Sequence, residues 1–464
     1  MAGWQLVAAQ CPSVAACEQR NVPCDLLGRA SCHLVNCSGQ AAALHGDIPC
    51  DVPGNTTVLL LADTGMTGNF SFQTLLDRAP SLFCAAARCP AWLGLVDMSR
   101  NALSGVDVFE NPAAFWGTST LYAKLDLSHN AFGALPTGAF DSANIAGGLV
   151  LAGNAIQAVD AYAFRNVNTN GSIDLSANSI ASIHPFAFFN AGVQQNLDLT
   201  GNNNIVLHSN AFAQASIGAN MSLSNNNITI IEPNAFQDAL VGSLDLSGNN
   251  ISVMRNGAFQ LMTLLGDLDL SNSNIDTIQM CAFQGTAVEG SVNLSYNNIA
   301  SVQENAFNSA FIIGTLNLRH NKLTQLDSLA FSFASFFEID LSFNSISYIP
   351  GGAASTTSGS AFANASMIAL NLATNNLTAL HADTFTGLNI NSVVSFANNS
   401  IAVLDNGWFS AFPLEITLIM SGNPSQCSPG LLANTLQTFN CICTNHSQAN
   451  VLGNGAYCSR APCQ

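Results

Sequence analysis

The segment Ile173-Asp-Leu-Ser-Ala-Asn178-Ser-Ile-Ala-Ser-Ile183 decides the fold of this chain. Its apolar residues first alternate with polar ones, as in a strand with one buried face. An alanine–phenylalanine pair, Ala187-Phe188, then ends ten residues after Asn178. The same pattern occurs 24 residues earlier around Asn154 and 24 residues later around Asn202. A fixed period with fixed apolar positions indicates one structural coil repeated along the chain.

The repeat extends over most of the chain. Its asparagine position is held by Asn130, Asn154, Asn178, Asn202, Asn226, Asn249, then Ser273, and then Asn297, Asn321, Asn344, Asn375, Asn399 and Asn423. Its phenylalanines are Phe140, Phe164, Phe188, Phe212, Phe236, Phe259, Phe283, Phe307, Phe331, Phe385 and Phe409. The spacing predicts one short parallel strand per coil, with the phenylalanines stacked on the opposite side, because a single coil cannot bury its own apolar residues.

This pattern resembles the extracellular leucine-rich repeat family, and in particular the ectodomains of Toll-like receptors and variable lymphocyte receptors. The resemblance implies an α/β-type solenoid, a horseshoe with a parallel β-sheet on its concave face and a mostly irregular or short-helix convex side. The side chain of each repeated asparagine carries both a donor and an acceptor. We therefore expect it to satisfy backbone groups of its own coil and of the next one. Ser273 can do only part of this, so its coil is predicted to be weaker.

The resemblance also predicts three regions. Residues 1–58 are expected to form a cysteine-rich N-terminal cap, residues 59–423 the repeat array, and residues 424–464 a cysteine-rich C-terminal cap. Insertions interrupt the array near residues 70–92, 107–119 and 350–361, and the first of them is predicted to hold a short helix over residues 72–79.

The 14 cysteines favour an oxidising compartment. All except one fall near the two ends of the chain, where they are candidates for disulfides: Cys11, Cys17, Cys24, Cys32, Cys37, Cys50, Cys84, Cys89, Cys427, Cys441, Cys443, Cys458 and Cys463. Their pairing cannot be read from the sequence. The remaining one, Cys281, lies in the middle of the array and is expected to be a buried free thiol or to bond between chains.

Charge and glycosylation motifs also favour an extracellular location. Charged residues make up 8% of the chain and its formal charge is −17, which argues against nucleic acids and anionic membranes as partners. No apolar run reaches the roughly 18–20 residues that span a bilayer. Candidate N-glycosylation sites, which would solvate this weakly charged surface, begin at Asn36, Asn55, Asn69, Asn170, Asn220, Asn227, Asn250, Asn293, Asn364, Asn376, Asn398 and Asn445.

A column of acidic residues is predicted on the outward face of the strands. Pairs such as Asp174 and Asp198 would stack about 5 Å apart, which costs repulsion unless something compensates. They could form a stripe for a cation or a basic ligand. Alternatively, the aspartates accept hydrogen bonds from neighbouring hydroxyl groups such as those of Ser176 and Ser247, which is the commoner arrangement.

A second outward group has an unusual composition. Most equivalent positions hold Ser, Gly, Ala, Asn or Thr, but three neighbouring coils carry aromatic and charged side chains. This combination is typical of binding hot spots. The candidate ligand-binding residues are Tyr296, Arg319, His320, Lys322, Glu338 and Phe343.

The sequence contains no catalytic constellation, so we do not expect an enzyme, a cofactor or a metal site. The first hypothesis is a secreted or cell-surface recognition module that binds protein or glycan on its concave face. The alternative is a structural subunit of an extracellular matrix or fibre that binds copies of itself. An uneven face with a hot spot favours recognition, whereas a bland surface with unpaired cysteines favours assembly.

Overall fold

The computed structural model describes residues 18–24, 29–38, 56–71, 75, 83–84, 94–106, 120–351, 359–381, 383–405, 408, 412, 416–424 and 440–442. The chain divides into two compact units. Unit 1 comprises residues 1–205 and 211–222, and unit 2 comprises residues 206–210 and 223–464.

Unit 1 is built from short strands, of which the longest are an N-terminal hairpin and the last one of its array. They are β1 Glu18–Cys24, β2 Arg29–Asn36, β3 Thr56–Leu60, β4 Thr67–Phe70, β5 Phe83–Cys84, β6 Gly94–Asp97, β7 Ala102–Val106, β8 Thr120–Leu121, β9 Ala123–Asp126, β10 Leu149–Val150, β11 Ala158–Val159, β12 Asn168–Thr169, β13 Ile173–Asp174, β14 Ser182–Ile183, β15 Gly192–Val193, β16 Leu197–Asp198 and β18 Ser216–Ser222.

Unit 2 continues the same construction. Its strands are β17 Val206–Leu207, β19 Ile230–Ile231, β20 Leu240–Asp245, β21 Val253–Met254, β22 Thr263–Leu264, β23 Leu268–Asp269, β24 Thr277–Ile278, β25 Ala287–Val288, β26 Val292–Asn293, β27 Ser301–Val302, β28 Phe311–Asn317, β29 Ser335–Asp340, β30 Ser366–Asn371, β31 Ala379–Leu380, β32 Asn389–Ser395, β33 Val403–Leu404, β34 Thr417–Ile419 and β35 Asn440–Ile442.

Each unit is a parallel β-solenoid, as the resemblance predicts. Equivalent residues of successive coils lie opposite one another, so that Leu149 pairs with both Leu125 and Ile173 in unit 1. In unit 2, Leu268 pairs in the same way with Leu244 and Val292. Alternate residues of a strand point to opposite faces of the sheet. This register therefore buries the aligned apolar residues in rows and leaves the residues that alternate with them on the outward face.

The repeated asparagines join neighbouring coils. The Asn178 amide donates to the carbonyl of Leu175 in its own coil and to that of Leu151 in the preceding coil, both at 3.0 Å. Its carbonyl accepts from the backbone N–H of Ile156, also in the preceding coil. The side chain therefore bonds to its own coil and the preceding one, whereas we had expected the next one. These bonds satisfy buried backbone groups that would otherwise lack partners.

The phenylalanine spine is present in both units. In unit 1, the ring of Phe188 stacks between Phe164 and Phe212 at centroid distances of 4.7 and 4.9 Å. In unit 2 the row runs from Phe236 through Phe385, with neighbouring centroids 4.8–6.2 Å apart. It includes Phe362, which the sequence analysis did not assign to the row because an insertion separates it from its coil's asparagine. Phe409 lies outside the described residues.

The side opposite the sheet is made of tight turns. Residues 120–351 are described without a gap and contain no helix, so in this part of the chain the side opposite the sheet is irregular, the first of the two forms that were expected. The reason is that backbone groups here bond between coils: the N–H of Phe164 donates to the carbonyl of Ala187, and that of Phe188 donates to the carbonyl of Ala211. A helix would need the same groups for bonds along its own axis.

Near the N-terminus, β1 and β2 form an antiparallel hairpin, and β2 pairs in parallel with β3. Cys37, directly after β2, is disulfide-bonded. Most other cap cysteines and the insertions near residues 107–119 and 350–361 lie mainly outside the described residues. In the first insertion Leu75 donates its N–H to the carbonyl of Ser71, a helical bond, but most of the helix predicted for residues 72–79 is not described.

Candidate functional site

Three of the predicted ligand-binding residues form a stack of rings in unit 2. The His320 ring lies 4.6 Å from the ring of Tyr296 on one side and 4.6 Å from that of Phe343 on the other, measured between centroids. The outer two rings are exposed, Tyr296 to 59% and Phe343 to 42%. The stack arises because the three residues precede the asparagines of three successive coils, and parallel strands place such residues side by side.

The backbone at these positions is left-handed. The φ angles of Tyr296, His320 and Phe343 are 56°, 55° and 54°. In unit 1 the equivalent positions hold His129, Gly153, Ala177 and Gly201, with φ angles of 53°, 67°, 52° and 69°. For residues other than glycine this conformation costs roughly 1–2 kcal/mol. The left-handed backbone is therefore a property of the repeat in both units, and what distinguishes Tyr296, His320 and Phe343 is that aromatic rings occupy it.

Arg319 belongs to the same cluster. Its guanidinium carbon lies 4.4 Å from the centroid of the Phe343 ring, which is a cation–π contact. The Nε atom of Arg319 is buried and has no hydrogen-bond partner among the described residues. We call Tyr296, Arg319, His320 and Phe343 the aromatic cluster.

The other two predicted residues lie apart from the aromatic cluster. Lys322 is exposed beyond the buried Asn321, and within the described residues it makes no ion pair or ring contact. Glu338 is half-buried on β29. Partial burial, followed by the neighbouring charge of Asp340, raises the pKa of Glu338, and a hydrogen bond with Thr315 offsets part of this shift.

The sequence analysis missed an exposed apolar stripe on the same unit. Residues Leu264, Val288, Ile312, Phe336 and Met367 are aligned across five strands. The residues that follow them lie side by side on the outward face, and four of them are apolar and 41–50% exposed: Leu265, Ile313, Phe337 and Ile368. The fifth is the exposed Glu289. Phe311, two residues before Ile313, is 52% exposed.

We call Leu265, Phe311, Ile313, Phe337 and Ile368 the apolar stripe. The sequence does contain these apolar residues, but they come before the Leu-x-Leu motif, in the segments Phe311-Ile-Ile-Gly314 and Ser335-Phe-Phe-Glu338. We had compared outward positions within and after that motif. Apolar residues before it could equally well have belonged to the core, and only the strand register separates the two cases.

The equivalent column of unit 1 is polar. Thr169, Val193 and Ile217 are aligned across its strands. The residues that follow them are Asn170, Gln194 and Gly218, all exposed. The apolar stripe is therefore a local feature of unit 2 and not a consequence of the repeat.

The acidic column has the hydrogen bonds that its second interpretation predicted. The Asp174 carboxylate accepts from the hydroxyl of Ser176 at 2.6 Å, and Asp245 accepts from the hydroxyl of Ser247 at 2.7 Å. Within the described part of the chain, no group of three metal-binding side chains lies close together. The column continues in unit 2 as Asn293, Asn317 and Asp340, where its amides bond to each other.

Cys281 is a free thiol in the single chain and is half-buried. The expectation that it is buried is therefore wrong. It lies in a turn, and its φ angle is 58°.

The candidate glycosylation sites differ in their surroundings. Asn227, Asn250 and Asn376 are exposed, as predicted from their place after a buried asparagine. Asn293 is half-buried, and its side chain bonds to Asp269, Ser295 and Asn317. A glycan on Asn293 would break these bonds, so we expect it to be the weakest acceptor of the set.

Part of the chain matches a known family model. Residues 134–265 and 252–359 match six copies of the model described as the BspA type leucine rich repeat region. Together these matches cover residues 134–359, which is 226 of the 464 residues, and over them the chain is similar to that family. The matched residues form a parallel solenoid in the structure. No curated protein sequence matches the chain.

Several solved structures also match the chain, at TM-scores below 0.5. They include an LRIM1/APL1C complex (17% identity, TM-score 0.37), a Toll–Spatzle complex described as a molecular hub in Drosophila development and innate immunity (16%, 0.41), and an APL1 leucine-rich repeat domain (18%, 0.36). The matches cover 80%, 70% and 80% of this chain. They cover 57%, 47% and 81% of the other chains, so this chain spans about half the length of the first two.

Among the described residues, no helix is both long enough and apolar enough to cross a bilayer.

Proposed function

We propose that this chain is an extracellular recognition module that binds a protein partner on the outward sheet face of unit 2. The observation that carries the proposal is the apolar stripe beside the aromatic cluster. Contiguous exposed apolar residues mark interaction sites, whereas scattered single ones do not. Unit 1 has the same repeats and the same core without such a stripe, so the repeat alone does not require it.

The composition of the two groups favours a protein over a glycan. Aromatic rings and arginine are enriched among the residues that dominate the binding energy of protein interfaces. Sugars bind to open ring faces, but both faces of the His320 ring are covered by its neighbours. The apolar stripe offers side chains to bury and few polar groups to pair with sugar hydroxyls.

The distribution of glycosylation motifs supports a binding role for the same surface. Between Asn250 and Asn364 the sequence contains one motif, at Asn293, and that side chain is engaged by its neighbours. The aromatic cluster and all of the apolar stripe except Ile368 lie in this interval. If the other motifs carry glycans in an extracellular compartment, this surface stays uncovered while the rest of the array is shielded.

Single substitutions in matched columns test the proposal. Phe337→Ser and Phe343→Ser remove one exposed ring each from unit 2, and Gln194→Ser changes the same column in unit 1. The wild-type chain, made in a secretory host and immobilised, is exposed to extracellular proteins of its source. We expect a retained protein that is lost with either phenylalanine variant and kept with Gln194→Ser. Retention that is equal for all four chains would contradict the proposal.

The second candidate function is self-assembly into a matrix or fibre, and the half-exposed free thiol of Cys281 favours it. Light scattering over a concentration series, with and without reductant, separates the two. A constant monomer mass supports recognition. A mass that grows with concentration, or a dimer that is lost on reduction and absent in Cys281→Ser, supports assembly.

A further inference from the structure

The distance between successive side chains of the apolar stripe limits which secondary-structure element of a partner can lie along it. Neighbouring strands of a sheet are about 4.8 Å apart, so its successive side chains repeat at about that distance. One turn of an α-helix rises about 5.4 Å. Over the four steps from Leu265 to Ile368 the two repeats drift apart by only about 2.4 Å.

An extended segment fits the stripe less well. Its side chains return to the same face every second residue, about 6.7 Å apart, and over the same four steps they drift by about 8 Å. A helix that crosses the strands therefore keeps one residue per turn over one residue of this column per coil, which is apolar in four of the five coils and Glu289 in the other. The five coils span about 19 Å, which is the length of about 13 helical residues.

The charges next to the stripe are acidic. Glu289 lies within the stripe's own column, and Glu338 and Asp340 follow Phe337 on the same strand. Asp267 follows Leu265 in the same way. No basic residue lies in these positions, and the chain as a whole has a formal charge of −17. A second copy of this chain would bring the same negative charge and is disfavoured as the occupant.

From this geometry we infer that the partner of the apolar stripe is a basic amphipathic helix, which lies across the strands from Leu265 to Ile368 with its lysine or arginine residues facing Glu289, Glu338 and Asp340. Burial of apolar helix residues on the stripe provides affinity, as in other helix-binding surfaces. The carboxylates determine the direction and register of the helix.

The inference rests on the proposed function and is tested with a defined probe. The probe is a fluorescent 16-residue peptide with leucine at positions 1, 8, 12 and 15, lysine at position 5 to face Glu289, and further lysines along one flank of the helix. One control peptide has glutamate in place of lysine, and another has two central residues replaced by proline, which breaks the helix. Binding to the full chain is measured by fluorescence anisotropy.

Matched protein variants locate the binding. Ile313→Ser/Phe337→Ser removes two residues of the stripe. The double variant Glu338→Gln/Asp340→Ser removes two carboxylates from unit 2, and Asp126→Ser/Asp174→Ser removes two from unit 1. Serine is used because Ser222 and Ser395 already occupy this column, and because asparagine at positions 174 and 340 would create new glycosylation motifs.

We expect the lysine peptide to bind saturably and both control peptides to bind at least tenfold more weakly. The stripe variant should lose at least tenfold in affinity and Glu338→Gln/Asp340→Ser about threefold to tenfold, whereas Asp126→Ser/Asp174→Ser should lose less than twofold. Circular dichroism verifies that each variant is folded. Equal losses for the two acidic pairs, or equal binding of the proline peptide, would overturn the inference.

The outcome also separates this inference from the proposed function. If a natural partner is lost with Phe337→Ser but the lysine peptide does not bind, the surface is correct and the helix is wrong. If neither the natural partner nor the peptide depends on Phe337, both proposals are wrong.

Discussion

The cores of units 1 and 2 are built in the same way, but the outward faces of their sheets differ in composition. Both stack phenylalanines at about the same centroid distances and bond their coils through buried asparagines. On the outward sheet face, the column that holds Asn170 and Gln194 in unit 1 holds Ile313 and Phe337 in unit 2. Because the core is built in the same way, the repeat does not require this difference between the faces, and the proposed function rests on it.

The largest expected effect tests the shared core. Phe188→Ala in unit 1 and Phe307→Ala in unit 2 each remove a buried ring from the spine, and each should cost about 3–5 kcal/mol of unfolding free energy. Phe337→Ala should change it by less than about 0.5 kcal/mol, because that ring is exposed. Urea unfolding followed by circular dichroism measures all three. A loss for Phe337→Ala as large as that for Phe307→Ala would make the stripe part of the core.

The next effect concerns the left-handed position before each asparagine. Gly201→Phe should destabilise unit 1 by about 1–2 kcal/mol, because its φ of 69° is unfavourable for a residue with a Cβ. Phe343→Gly should be nearly neutral for stability in unit 2. It relieves the same backbone cost but loses ring contacts worth about 0.5–1.5 kcal/mol.

The same Phe343→Gly variant should lose partner binding. Thermal unfolding of both variants, together with the retention assay, tests this pair. If Phe343→Gly destabilises the protein by more than about 2 kcal/mol, the aromatic cluster is a structural element and its exposure does not indicate a binding role.

A smaller effect is expected at the one position where unit 2 departs from the asparagine ladder. The hydroxyl of Ser273 lies within hydrogen-bond distance of the carbonyls of Leu246 and Ser271, but its single proton can serve only one of them. The Asn249 amide donates to both Leu223 and Leu246. Ser273→Asn should therefore add about 0.5–1.5 kcal/mol of stability. Urea unfolding measures this, with Asn297→Ser as the reverse control, and a destabilised Ser273→Asn would show that the coil is too tight for the amide.

The smallest effect is a dependence on pH with opposite signs at two glutamates of unit 2. The pKa of Glu338 is raised, so the folded protein holds this proton more tightly than the unfolded chain does. Its contribution to stability is present below the ordinary glutamate pKa and is lost as pH rises above it. Glu338→Gln should therefore stabilise the protein at pH 7 and have no effect near pH 3.5.

Glu232 provides the matched control. Partial burial by itself would raise the pKa of Glu232. Hydrogen bonds from Ser209 and the neighbouring His208 have the larger combined effect and lower it. Its contribution to stability is present above the ordinary glutamate pKa and is lost as pH falls through the lowered one. Glu232→Gln should destabilise the protein at pH 7 and lose this effect in acid. Unfolding midpoints measured from pH 3.5 to 7 test both, and the same sign at both sites would contradict the assignment.

The sequence by itself determined the solenoid. The 24-residue period, the buried asparagines and the phenylalanine spine could all be read from it, because each depends on local spacing and on stacking between neighbouring coils. It also identified Tyr296, Arg319, His320 and Phe343 as unusual, since these positions follow a motif whose orientation is known. The turns opposite the sheet were not predictable in the same way, because their backbone bonds run between coils.

Only the tertiary structure decided which apolar residues are outside. Phe336 and Phe337 are adjacent and identical in the sequence, but the first is buried and the second is half exposed. Their difference depends on the register of β29 against β28 and β30, since a shift by one residue would exchange the two faces. The structure likewise brought Arg319 over the Phe343 ring, a contact across two coils that no local pattern specifies. The fold follows from periodicity, whereas the binding face follows from register.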